Sequence, residues 1–136
     1  MGVQFLLSPF KMKIILDTNF ILTCIKQKID FDNLANNLSD EKIIWIIPKE
    51  VIKELQALEK RKGEKLKDKE SSSLALKIIK IIPHKTINLP TKNVDSGIIR
   101  YAKRNQAIIA TLDKEIKQKF PGKILTIRGT KSLEIF

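Results

Sequence analysis

Five short apolar runs alternate with helical patterns along this chain, and that alternation leaves few folds open. The runs lie at about 13–16, 42–47, 84–88, 107–110 and 123–127. Lys42-Ile43-Ile44-Trp45-Ile46-Ile47 is almost wholly apolar, as expected of a strand buried on both faces. Helical spacing fills the intervals, at about 19–27, 31–38, 48–58, 74–82, 95–102 and 113–120. Strand runs separated by helical segments predict an α/β fold with a parallel sheet covered by helices on both sides.

A length of 136 residues suits one domain with a single core. Residues 1–11 precede the first strand and read as an extension or a misassigned start, with Met12 the other candidate start. Residues 12–136 read as one domain. Within it the segment 59–73 (EKRKGEKLKDKESSS) interrupts the apolar pattern and reads as a charged connector or a frayed helical hairpin. Serines 71–73 are expected to cap the next helix, and Pro48 is expected at the first position of its own.

Basic residues outnumber acidic ones by 26 to 15, for a net charge of +11. The excess favours a polyanionic partner, although a lysine-rich surface also occurs in thermophilic proteins. No apolar stretch is long enough for a membrane span, and one cysteine, Cys24, allows no internal disulfide. These features lead us to expect a cytoplasmic protein without a membrane partner. The chemistry open to the chain is narrow as well. A single histidine, His84, excludes a two-histidine ribonuclease, and no glycine-rich phosphate loop occurs.

Carboxylates occur where strands end. Asp17 follows the first strand, Asp113 follows the fourth, Glu54 lies in the second turn of the helix after the second, and Asp95 opens the helix before the fourth. Loops after parallel strands share one sheet edge, so these four acids are expected in one cleft. Like charges held together raise each other's pKa, and a hard divalent cation, magnesium or manganese, relieves the conflict. Each acid has a plainer role: Asp17, Asp95 and Asp113 as helix caps, Glu54 as a solvated helix residue. Asn19, Thr111 and Ser96 are polar neighbours able to orient the acids. Candidate phosphate contacts are Lys60, Arg61, Lys62, Arg100, Lys103, Arg104, Lys114, Lys117, Arg128 and Lys131.

In this order and spacing the motifs resemble the PIN domain of metal-dependent ribonucleases. The likeness rests on Ile14-Ile15-Leu16-Asp17-Thr18-Asn19-Phe20, on Pro48 with Val51-Ile52-Lys53-Glu54-Leu55, on Val94-Asp95-Ser96-Gly97-Ile98-Ile99-Arg100-Tyr101-Ala102, and on Ala110-Thr111-Leu112-Asp113-Lys114-Glu115-Ile116. The resemblance implies a three-layer α/β/α sandwich around a parallel sheet of about five strands. It also implies endonucleolytic cleavage of single-stranded or structured RNA by water activated on magnesium or manganese. Asp17, Glu54, Asp95 and Asp113 would be its catalytic and metal-holding acids, supported by Asn19 and Thr111. Relatives often carry a second Asp where this chain has Ser96. The tail Ile127-Arg128-Gly129-Thr130-Lys131-Ser132-Leu133-Glu134-Ile135 is similar to PIN nucleases of ribosomal-RNA processing, and the rest is equally similar to toxins of toxin–antitoxin pairs. Ribosomal or transfer RNA, a ribosomal precursor, an antitoxin and a second copy of the chain are the partners this implies. A PIN fold used for RNA binding or assembly with little catalysis is the further alternative.

Overall fold

A computed structural model describes residues 11–61 and 65–136. The strands are β1 (Lys11–Leu16), β2 (Lys42–Pro48), β3 (His84–Ile87), β4 (Ile108–Ala110), β5 (Ile124–Arg128) and β6 (Ser132–Ile135). The helices are α1 (Thr18–Lys26), α2 (Phe31–Asn36), α3 (Lys49–Lys60), α4 (Leu66–Ile81), α5 (Val94–Asn105) and α6 (Lys114–Lys119). The sheet order is β3-β2-β1-β4-β5-β6. The first five strands are parallel, and β6 returns antiparallel to β5.

The order places a switch point between β1 and β4. From β1 the chain steps outward through β2 to β3, then crosses back to the other side of β1. Right-handed crossovers therefore put α1–α4 on one face and α5 and α6 on the other. The buried side chains divide accordingly. Leu16, Trp45, Ile47 and Ala110 pack with Phe20, Cys24, Val51, Leu55 and Ala75. Ile15, Ile46 and Ile109 pack with Ile98, Ala102 and Ile116. This is the expected three-layer sandwich.

Several local expectations are corrected. The sheet holds six strands, because the tail pairs with β5 through Leu125↔Ile135 and Ile127↔Leu133. Gly129, at φ +65°, makes the turn that allows it. The strand β1 takes in Lys11, paired with Lys42; residues 1–10 lie outside the described residues. Pro48 ends β2 opposite Ile87 and is the cap of α3 rather than its first residue. Much of the charged segment is ordered helix, since α4 starts at Leu66. Serines 71–73 therefore sit inside that helix, and Ser71 and Ser72 are buried. Cys24 is buried as expected, and burial pushes its thiol up to about 12.

Candidate active site

The β1–β4 register fixes the centre of the site. Leu16 lies opposite Ala110, so Asp17 and Thr111 emerge side by side at the carboxyl ends of the two strands. The Asp17 amide donates to the Ala110 carbonyl at 3.0 Å. Side chains alternate along a strand, so Asp17 and Thr111 share a face with Ile15 and Ile109, under α5 and α6. Ligands of open α/β sheets bind in this position, at the switch point.

The Thr111 hydroxyl joins two of the acids. It donates to Asp17 Oδ2 at 2.7 Å and accepts from the Asp113 amide at 3.0 Å. Asp113 caps α6, its Oδ1 accepting from the Glu115 amide at 2.8 Å. On the other side of Asp17, the Thr18 hydroxyl donates to Glu54 Oε2 at 2.9 Å. Two adjacent residues at one strand exit thus contact acids or their supports on both helical layers.

Asp95 completes the group electrostatically. Burial raises the pKa of Asp17, and the charges of Asp95 and Asp113 raise it further; the Thr111 hydroxyl and the Thr18 amide oppose them. Asp95 is raised by desolvation, then by Asp113 and Glu115, with Lys119 acting against them. Asp95 does not cap its helix, and neither does Ser96. Asn93 is the cap, accepting from the Ser96 amide at 2.9 Å. Asp95 is left free to face the acids of α6.

Asp17, Asp95 and Asp113 therefore act on one another at the sheet edge, and Glu54 is tied to that edge only through the Thr18 hydroxyl. Among the described residues, no three Asp, Glu, His or Cys side chains are gathered tightly enough to hold a metal ion. The donors still suit magnesium, which keeps several waters and takes one or two carboxylates directly. Asp17 and Asp113, already linked through Thr111, are the pair with the right chemistry for direct contact.

The supporting residues divide. Thr111 is central. Asn19 is exposed and lines a cavity with Glu54 on the α1 side. Ser96 lines a cleft with Asp95, Glu115 and Lys119. Among the basic candidates, Arg100 and Lys103 line a groove with Ser96 and Lys119. Lys60 lies in a separate groove with Lys77 and His84. Lys117 reaches Thr126 Oγ1 at 3.1 Å. Arg61, Arg104, Lys114, Arg128 and Lys131 are exposed, and Lys62 lies outside the described residues. His84 contacts the Ile82 carbonyl at 2.9 Å, a structural role.

Sequence reasoning passed over four residues. Thr18 positions Glu54, Glu115 and Lys119 set the field at Asp95, and Glu50 carries a buried Oε1 with no partner one turn before Glu54. The spacing of Glu50 and Glu54 was a readable signal for the last, since such residues share a helix face.

Residues 14–129 match the family described as a PIN like domain. Ribonuclease VapC4 of Methanocaldococcus jannaschii is 34% identical over 128 residues, covering 91% of this chain and 96% of that protein. The structure of the PIN domain endonuclease Utp24 superposes with a TM-score of 0.72 at 29% identity, covering 90% of each chain. VapBC2 from Rickettsia felis, solved bound to a DNA fragment from its promoter, shares the fold at a TM-score of 0.55 and 21% identity, covering 85% of this chain and 98% of that one.

Proposed function

The chain belongs to the PIN-like domain family, and from that premise we propose that it is a magnesium- or manganese-dependent endoribonuclease. The observation that carries this reading is the Asp17–Thr111–Asp113 linkage at the sheet's switch point, with Asp95 close enough to act on Asp17. Likeness to a protein named as a ribonuclease and to one named as an endonuclease supports it.

Asp17 and Asp113 would hold the cation, with Asp95 meeting it directly or through water. When bound, the cation supplies positive charge that acidifies water and offsets charge on a phosphoryl oxygen. Thr111 holds the Asp17 carboxylate in place and fixes the backbone at Asp113. Thr18 holds Glu54 toward the same edge, where it can orient a water. Arg100, Lys103 and Lys119 line a groove that leads to this edge and suits an RNA backbone.

The test is cleavage of single-stranded RNA with magnesium or manganese. Chelation is expected to abolish it, and Asp17→Asn or Asp113→Asn to lower it by at least about a hundredfold, the scale set by losing one charge-stabilising group. Wild-type rates in both variants would sink the assignment. Manganese calorimetry separates an enzyme from an assembly module, because an enzyme of this kind takes up the metal at millimolar concentration or below.

Processing of ribosomal RNA is the first biological role, supported by the tail that forms β6, whose sequence resembles PIN nucleases of that kind. A toxin of a toxin–antitoxin pair is the second, supported by the likeness to Ribonuclease VapC4. An adjacent small antitoxin gene argues for the toxin, and co-purification with ribosomal precursors argues for processing. No helix among the described residues is long and apolar enough to cross a membrane.

A further inference from the structure

We propose that the cavity between α1, α3 and α4 holds one nucleobase of the RNA beside the cut, an inference that rests on the nuclease reading and deepens it. The cavity measures about 260 Å³ and is lined by Asn19, Leu22, Glu54, Leu58 and Ser72, with the Lys26–Asp68 pair. That is slightly below the roughly 300 Å³ at which pockets for drug-sized ligands begin, a size suited to a single ring system.

Its most telling residue is Ser72. The side chain is fully buried and its hydroxyl has no partner. A serine inside a helix usually returns its hydroxyl to a carbonyl one turn back. Leaving a buried hydroxyl unpaired costs about 1–3 kcal/mol. Such a group beside a cavity is suited to a ligand atom. Asn19 adds an amide, both donor and acceptor, on the exposed side. Leu22 and Leu58 supply apolar walls for the flat faces of a ring. Lys26 Nζ and Asp68 Oδ1, 2.6 Å apart, tie α1 to α4 and fix the cavity's shape.

Position selects the ligand. Glu54 lines this cavity and accepts from the hydroxyl of Thr18, the residue that follows Asp17 in the chain. A group bound here lies beside whatever phosphate meets the acids. Single-stranded RNA is read in this way, with bases splayed out and hydrogen-bonded along their edges. A segment of a protein partner is the competing occupant.

The experiment has two arms. In the first, the four nucleoside 5′-monophosphates are titrated into the ¹⁵N-labelled protein without metal. The expected result is that at least one shifts the amides of Asn19, Leu22, Leu58 and Ser72, and that Ser72→Ala weakens it roughly three- to tenfold, the worth of one net hydrogen bond. Alanine favours the helix, so the variant folds. No shift at these residues, shifts only with a partner peptide, or equal affinity in Ser72→Ala overturns the proposal. In the second arm, RNAs varied at each position around the cut are cleaved by both proteins. A base preference that weakens in Ser72→Ala supports the pocket. The same preference in both overturns it while the nuclease reading stands. Nucleotides that occupy the pocket of a protein unable to cut RNA support the pocket and end the nuclease reading.

Discussion

Thr111 has one hydroxyl and two acids that depend on it. The side chain is fully buried, donating to Asp17 Oδ2 and accepting from the Asp113 amide. Thr111→Val keeps the shape and removes both bonds. It leaves a buried carboxylate oxygen unpaired, so unfolding in urea should show a loss of about 1–3 kcal/mol. Cleavage should fall as well, and Thr111→Ser should recover most of both. A valine variant with wild-type stability and rate would remove Thr111 from the site. Asp17 makes a second prediction with a defined sign. Its folded pKa is raised above the unfolded value of 3.8, chiefly by burial. Between those two pKa values the folded state binds more protons than the unfolded one, so stability falls as pH rises through the window. Asp17→Asn removes that penalty. Denaturation in chelator should find the variant more stable than wild type at pH 7, with the difference gone once pH falls below 3.8. Wild type more stable at pH 7 would contradict the burial cost. Stability gained while activity is lost is the signature of a residue kept for function. The sequence showed the acids because each follows an apolar run or opens a helix. It showed Thr111 as a polar neighbour but not which acid it binds, and it hid Thr18, because hydrogen bonds across 94 and 36 residues depend on which elements become neighbours.

At the scale of elements, α2 is six residues long and too short to persist alone. Its place is set by contact with β2. Trp45 on β2 is fully buried, and its Nε1–H donates to Asp32 Oδ1 on α2 at 2.7 Å. Phe31 meets the indole edge-on with ring centres 5.1 Å apart, and Phe20 of α1 meets Phe31 at 6.3 Å. Trp45→Ala should cost about 3–5 kcal/mol by emptying this cluster. Asp32→Ala should cost about 1–3 kcal/mol, because the indole donor is left buried and unpaired. Urea denaturation measures both, and an unaffected Asp32→Ala would show that the aromatic packing alone holds α2. Element type was legible where apolar spacing was strong, as in β2 and α3. The start of α4 was not, because Lys, Asp, Glu and Ser fill its first half. Those residues are helical through packing against α1 and α3, including the Lys26–Asp68 pair, which no local pattern announces. The β6 strand was better signalled than it was read. A glycine at 129, then Leu133 and Ile135 two apart, is a turn followed by alternation.

Across the whole molecule, charge is distributed unevenly. The net charge is +11, yet the switch-point edge gathers Asp17, Asp95, Asp113 and Glu115, whose charges oppose ionisation of Asp17 and Asp95. Among the described residues one ion pair forms, Lys26–Asp68, so most surface cations have no acid to hold them. A polyanion entering the site would pass from that positive surface to the acids. The groove lined by Arg100, Lys103 and Lys119 is the nearest such surface to Asp95, since Ser96 and Lys119 also line the cleft beside it. Each phosphate neutralised on single-stranded RNA contributes about 0.7 to the slope of log affinity against log salt. Replacing Arg100, Lys103 and Lys119 together with alanine should therefore flatten that slope by about 2 if all three meet phosphates. Filter binding of the Asp17→Asn protein to a short RNA, across a range of potassium chloride, measures it without cleavage. Replacing Arg61, Lys77 and Lys80 on the α3–α4 side is the matched control with the same charge change. An equal flattening in both triples would mean that RNA is held by net charge alone. A flattening confined to the first triple assigns the α5–α6 groove as the path by which RNA reaches the acids.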